Sequence, residues 1–126
     1  MPKLIKPITK WIDWPDDPEA AVEIRAFTDE DTAAIRAAAL RQKSTMVNGK
    51  AEMVVEYDVH RDREETARRR VVDWHGFNDE NGRPMACTEA NRLRWSCNRA
   101  FMELINLAGA DLDAQAAAAS NEAAKN

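Results

Sequence analysis

Between Val71 and Asn91 this chain cannot remain in one regular element. The segment reads VVDWHGFNDENGRPMACTEAN. Val71 and Val72 are apolar, Trp74 is a large anchor, and Gly76 can take the positive φ that stops a helix. Asn78, Asp79, Asn81 and Gly82 favour turns, and Pro84 lacks the N–H that a helix interior uses. Thr88 suits the cap of a new helix. The segment therefore reads as a joint: a helix arrives, a reverse turn follows, and a second helix leaves from Thr88. Trp74 is expected to be buried there, with Val71 and Phe101 near it.

At 126 residues the chain is one domain by length. Hydrophobic residues make up 44% of it, but many are alanine, so the core rests on few anchors: Trp11, Trp14, Phe27, Tyr57, Trp74, Phe77, Trp95 and Phe101. The formal net charge is −4, which argues against general nucleic-acid affinity, since that needs a basic face. Cys87 and Cys97 are too few for a disulfide scaffold and fit a reducing compartment. The start, MPKLIKPITK, has no apolar core segment, so no signal peptide is expected. No apolar run is long enough to span a membrane.

Residues 1–9 read as an extended arm. Lys10–Trp14 and Ala21–Phe27 alternate as strands, and Pro15-Asp16-Asp17-Pro18 breaks the chain between them, so a hairpin-like pair is expected. Thr28 followed by Asp29, Glu30 and Asp31 marks a helix start. That helix is expected to reach about Lys43, with Ile35, Ala38, Ala39 and Leu40 inward and Arg41 and Lys43 at its C-terminal end. Asn48-Gly49 is the strongest short-range hairpin signal, with Thr45–Val47 and Met53–Val55 on either side; a second hairpin or a single strand both fit. A helix over roughly Arg61–Asp73, capped by Asp58 or Asp62, places Ala67, Val71 and Trp74 at helical spacing. The last helix, Thr88–Leu107, carries Leu93, Cys97, Ala100, Phe101, Leu104 and Ala108 on one stripe, and Gly109 ends it. The organisation expected is a single α+β domain over 1–108, a β-hairpin-like element followed by about three helices. A flexible alanine-rich tail over 109–126 would have almost nothing to bury.

The chemistry-bearing residues form no recognised constellation. His60, His75, Cys87 and Cys97 match no zinc spacing, and Cys97 falls on the apolar stripe. Asn78–Gly82 has the residues of a calcium loop, but Pro84, Met85 and Ala86 interrupt the ligand pattern. Ser44, Thr45 and Ser96 have no placed base, and there is no glycine-rich phosphate loop. Glu64 and Glu65 among arginines read as a solvated helix face. Arg68-Arg69-Arg70 spread around a helix rather than forming a stripe. The reading is non-enzymatic, without cofactor or metal.

One surface stands out. On the last helix Trp95, Met102 and Ile105 form a second apolar strip, with Arg92 and Arg99 beside it. Aromatic residues and arginine are enriched at interface centres, so these five are the candidate partner-binding residues. The competing reading is a helix buried on two sides.

The segment Val71–Asn91 also resembles the central part of the tail assembly chaperones of long-tailed phages and prophages. Arg25–Asp31 matches R-x-[FL]-T-x-x-[DE], Val71–Gly76 matches V-x-D-W-x-G, and D-E-x-G-x-P followed by T-x-x-N runs through Asp79–Asn91. Val71, Asp73, Trp74, Gly76, Asp79, Gly82, Pro84, Thr88 and Asn91 are the motif residues. The likeness is loose over Trp11–Ala108 and close over Val71–Asn91. It implies a non-catalytic protein of the bacterial host cytoplasm, absent from the finished virion. Such a protein binds the tape measure protein and helps to recruit tail tube subunits. The tail tube protein and self-association are further candidate partners; no membrane is expected, and nucleic acid is disfavoured. The alternatives are a small structural tail or connector component and a nucleic-acid-binding regulator.

Overall fold

A computed structural model describes residues 7–125, with side chains through 121; the expected arm falls mostly outside them. Alternating residues build β1 (Thr9–Trp14) and β2 (Asp17–Arg25), antiparallel across a tight turn in which Asp16 has a φ of 64°. Thr28 then caps α1 (Asp29–Ala39): its hydroxyl accepts from the Asp31 amide, and the Asp31 carboxylate accepts from the Thr28 amide. The chain continues through β3 (Leu40–Val47), β4 (Lys50–Tyr57), α2 (Val59–Arg70), β5 (Val71–His75), α3 (Glu89–Trp95) and α4 (Arg99–Lys125).

β5 pairs antiparallel with β2, giving a three-stranded sheet in the order β1-β2-β5. α4 packs across β1 and β2, and α2 packs on α1, α3 and α4. The core lies between sheet and helices: Val22 and Ile24 from β2, Trp74 from β5, and Phe101, Ile105 and Leu112 from α4. Beside it Trp95, Phe77 and Phe101 meet as an aromatic cluster, with Trp74 edge-on to Phe101 at 6.3 Å between centroids. The chain is thus a small α+β domain beginning with a β-hairpin, as expected. β3 and β4 form a separate two-stranded ribbon. Its turn is the Asn48-Gly49 pair, both residues with positive φ, 51° and 78°.

Four expected boundaries are corrected. α1 stops at Ala39, because β4 pairs with Leu40–Val47 along its whole length and draws Arg41 and Lys43 into a strand. α2 stops at Arg70, so Trp74 is buried on a strand rather than on a helix. The last helix is broken at Ser96–Asn98; Asn98 caps α4 by accepting from the Phe101 amide at 2.9 Å. Finally, α4 runs straight through Gly109. The segment expected to be a tail contributes Leu112, 1% exposed, to the core, and the Asp113 carboxylate to an ion pair with Arg70. Tertiary contacts there outweigh the weak intrinsic signal of a glycine. Side chains of 122–126 lie outside the described residues.

Candidate protein-binding surface

The expected partner strip is mostly core. Met102 is 5% exposed and Ile105 fully buried, both in the cluster under the sheet. The break at Ser96–Asn98 resets the helical phase, so α4 turns Phe101, Met102, Ile105 and Leu112 inward. Cys97 and Ala100, drawn on the inner stripe by the continuous-helix reading, point out. Trp95 is half-buried: its ring stacks edge-on against Phe77 at 4.9 Å, and its indole N–H is directed at the Met85 sulfur. Arg92 donates to the Cys87 carbonyl at 3.1 Å. Arg99 is exposed and pairs with Glu103 at 3.0 Å. Of the five candidates, Met102 and Ile105 are therefore withdrawn as contact residues, and Trp95 and Arg92 serve internal packing.

The motif residues are structural joints. Trp74 and Val71 are buried, and the Trp74 indole N–H donates to the Met85 carbonyl at 2.8 Å, tying β5 to the following loop. The Asp73 carboxylate accepts from the Trp74 amide. Gly76 has a φ of 77°, and a Cβ there would lie 2.3 Å from the Glu19 carbonyl oxygen, so only glycine fits. Asp79 closes the turn by accepting from the amides of Asn81 and Arg83, and the Gly82 amide donates to its carbonyl. An Asn78–Pro84 bridge seals the loop. Thr88 caps α3 by accepting from the Asn91 amide, and the Asn91 side chain donates to the Ala86 carbonyl.

The arginine triplet is committed to carboxylates. Arg68 pairs with Glu65 and Glu89, Arg69 with Asp31 and Glu65, and Arg70 with Asp113. Asp31 is buried and also receives Arg25 through two bonds of 2.7 Å. That guanidinium, with the Thr28 amide and Arg69, holds the Asp31 carboxyl well below the usual carboxylate range. The Arg61 amide and the nearby Arg41 lower Asp58, which caps α2. Burial pushes the Cys87 thiol up. His60, His75, Cys87 and Cys97 sit on four different segments, and no group of three or more metal-ligating side chains converges among the described residues.

What the strip reading missed is the ribbon. Leu40, Met46, Val47, Met53, Val54, Val55 and Tyr57 are all exposed, and among the described residues most of the large exposed apolar side chains lie on these two strands. A hairpin of two strands with nothing packed over it is marginal in isolation; here the ribbon is anchored at its base, where the Asp58 amide donates to the Ala39 carbonyl at 2.8 Å. The signal in the sequence was the alternation of charged and uncharged residues on either side of Asn48-Gly49. Among the described residues no helix is long and apolar enough to cross a membrane.

No protein-family model matches the chain, and no curated protein or solved structure matches it either.

Proposed function

We propose that the chain is a phage tail assembly chaperone: a non-catalytic protein of the host cytoplasm that covers apolar surface on the tape measure protein until tail tube subunits replace it. The single observation that carries the reading is the exposed apolar ribbon β3–β4, held out from a well-packed body. Contiguous exposed apolar surface on an otherwise charged protein marks an interaction site. The likeness of Val71–Asn91 to the chaperone family supports the same reading and names the client class.

The test is co-expression with a tape measure protein from the same phage or prophage. Soluble yield of that long protein should rise with the wild-type chain. No association at all would remove the chaperone reading. The two outer edges of the ribbon, unpaired among the described residues, favour, as the alternative, a small structural tail component that pairs through them. Mass spectrometry of purified virions separates the two, because a chaperone is absent from finished particles and a component is present.

A further inference from the structure

We infer that the ribbon receives an amphipathic helix of another protein, laid along the face that carries Met46, Met53, Val55 and Tyr57, with one end in the groove beneath Leu40. The inference rests on the protein-binding reading above and names the mode of contact. Directly opposed residues of an antiparallel pair share a face. The pairs Leu40–Tyr57, Gln42–Val55, Ser44–Met53 and Met46–Ala51 therefore make one face, and it holds no charged residue. The alternate pairs put Arg41, Lys43, Lys50, Glu52 and Glu56 on the other face, where Lys43 and Glu56 approach to 3.9 Å. The ribbon is amphipathic, yet its apolar side is bare: Met46 is 68% exposed and Met53 65%.

Geometry selects the occupant. The backbone groups of a sheet bond within its plane, so this face offers side chains only. Whatever covers it must satisfy its own backbone, as a helix or a sheet does, and a face only two strands wide, about 10 Å, matches the width of a single helix. An extended segment would go to an edge instead. Strands of eight residues span about 27 Å, the length of a helix of about 18 residues. Methionine adapts to helix surfaces of varied shape. At the base of the ribbon the apolar line continues: Leu40 and Tyr57 also line a groove of about 420 Å³ with Ile35 and Phe27. Arg36 and Asp62 border that groove; the Asp62 carboxylate already accepts from the Tyr57 and Thr66 hydroxyls, so Arg36 is the charge that faces the C-terminal end of the helix.

A second copy of this chain does not fit. Among the described residues the large exposed apolar side chains on helices are Val59 and Leu107, which form no stripe, so another copy has no apolar helix face to offer. Two ribbons stacked face to face would bury about 500–600 Å² in total, well under the ~1,200 Å² of a stable interface. A helix covers the same face and adds the groove, which a second ribbon leaves empty; the contact is still smaller than a stable interface, as suits a client that must later be released.

The probe is a fluorescein-labelled amphipathic peptide of about 22 residues, with leucine at helical spacing and lysine and glutamate elsewhere. Binding is read by anisotropy on the full chain. Wild type should bind it. Met53→Lys should weaken binding about tenfold or more, whereas Val54→Lys, on the other face of the same strand, should change it less than about twofold. Circular dichroism should show both variants folded, since both side chains are exposed. No binding by wild type, equal binding by Met53→Lys, or equal weakening by Val54→Lys would overturn the inference. So would a concentration-dependent dimer that Met53→Lys abolishes. The two readings fail separately. Solubilisation of the tape measure protein that survives Met53→Lys sinks the helix-binding face and spares the chaperone. Peptide binding without any solubilisation sinks the chaperone and spares the face.

Discussion

Arg70 and Asp113 meet as a two-pronged ion pair, 2.7 and 3.0 Å, that joins the end of α2 to the middle of α4. The same guanidinium donates to the Arg25 carbonyl at 3.0 Å and lies 3.4 Å over the Phe27 ring. Asp113 in turn accepts from the Phe27 amide at 2.7 Å. Arg70 is 4% exposed, whereas Asp113 reaches the surface, and among the described residues the Arg70 Nε has no partner. Such a pair is costly to break from one side, because it leaves a buried charge uncompensated. It explains why α4 continues past Gly109.

Gly109 lies one turn before Asp113, and a Cβ on it would sit 2.5 Å from the Arg70 Nε and 2.6 Å from its Cζ. Helix propensity alone says that Gly109→Ala should stabilise by about 1 kcal/mol. The guanidinium is pinned on three sides and cannot yield cheaply. The variant is therefore expected to lose about 1–3 kcal/mol in urea denaturation. A gain in stability would mean that the clamp is loose.

Asp31 should make the fold acid-sensitive. Its native pKa is depressed, chiefly by Arg25. Its contribution is fully present above the unfolded value, about pH 4. It is lost as pH falls through the lower native value. Asp31→Asn should cost about 1.5–3 kcal/mol at pH 7. The gap from wild type should narrow as pH drops below about 4. A gap that stays constant from pH 7 to pH 3 would contradict the assignment.

Trp74→Ala should cost about 3–5 kcal/mol, because the ring fills the space between β5, Phe77 and Phe101 and its N–H is bonded to Met85. Trp74→Phe keeps most of the packing and should lose only about 1–2 kcal/mol. Equal losses in the two variants would assign the effect to the hydrogen bond alone, and an unchanged melting temperature would remove the packing argument.

Local chemistry was legible at caps and turns that stand outside an apolar pattern. Thr28 and Thr88 cap helices, Asn48-Gly49 turns a ribbon, and Gly76 takes a positive φ, although it ends strand β5 and not a helix. Val71 and Trp74 misled because they stand three apart, a helical spacing. Opposite them the register shifts between Glu23 and Ile24, which leaves Val72 as an extra, exposed residue. That bulge turns Val71 and Trp74 to the same side of a strand. Asn98 was a cap hidden inside an apolar stripe, and missing it moved Met102 and Ile105 onto the surface. Gly109 misled because the contact that overrides it comes from Arg70, thirty-nine positions earlier in the chain.

Hydrogen exchange on the complex with the tape measure protein tests the central claim most directly. Amides of free β3 and β4 should exchange quickly, since the ribbon is open to solvent on both faces. On binding, protection should rise across Leu40–Tyr57 and at the groove around Ile35 and Asp62, while α4 stays unchanged away from Asn106, which lines the groove. Protection confined to Arg92–Ile105, with the ribbon as fast as before, would contradict the account and return the binding face to the last helices.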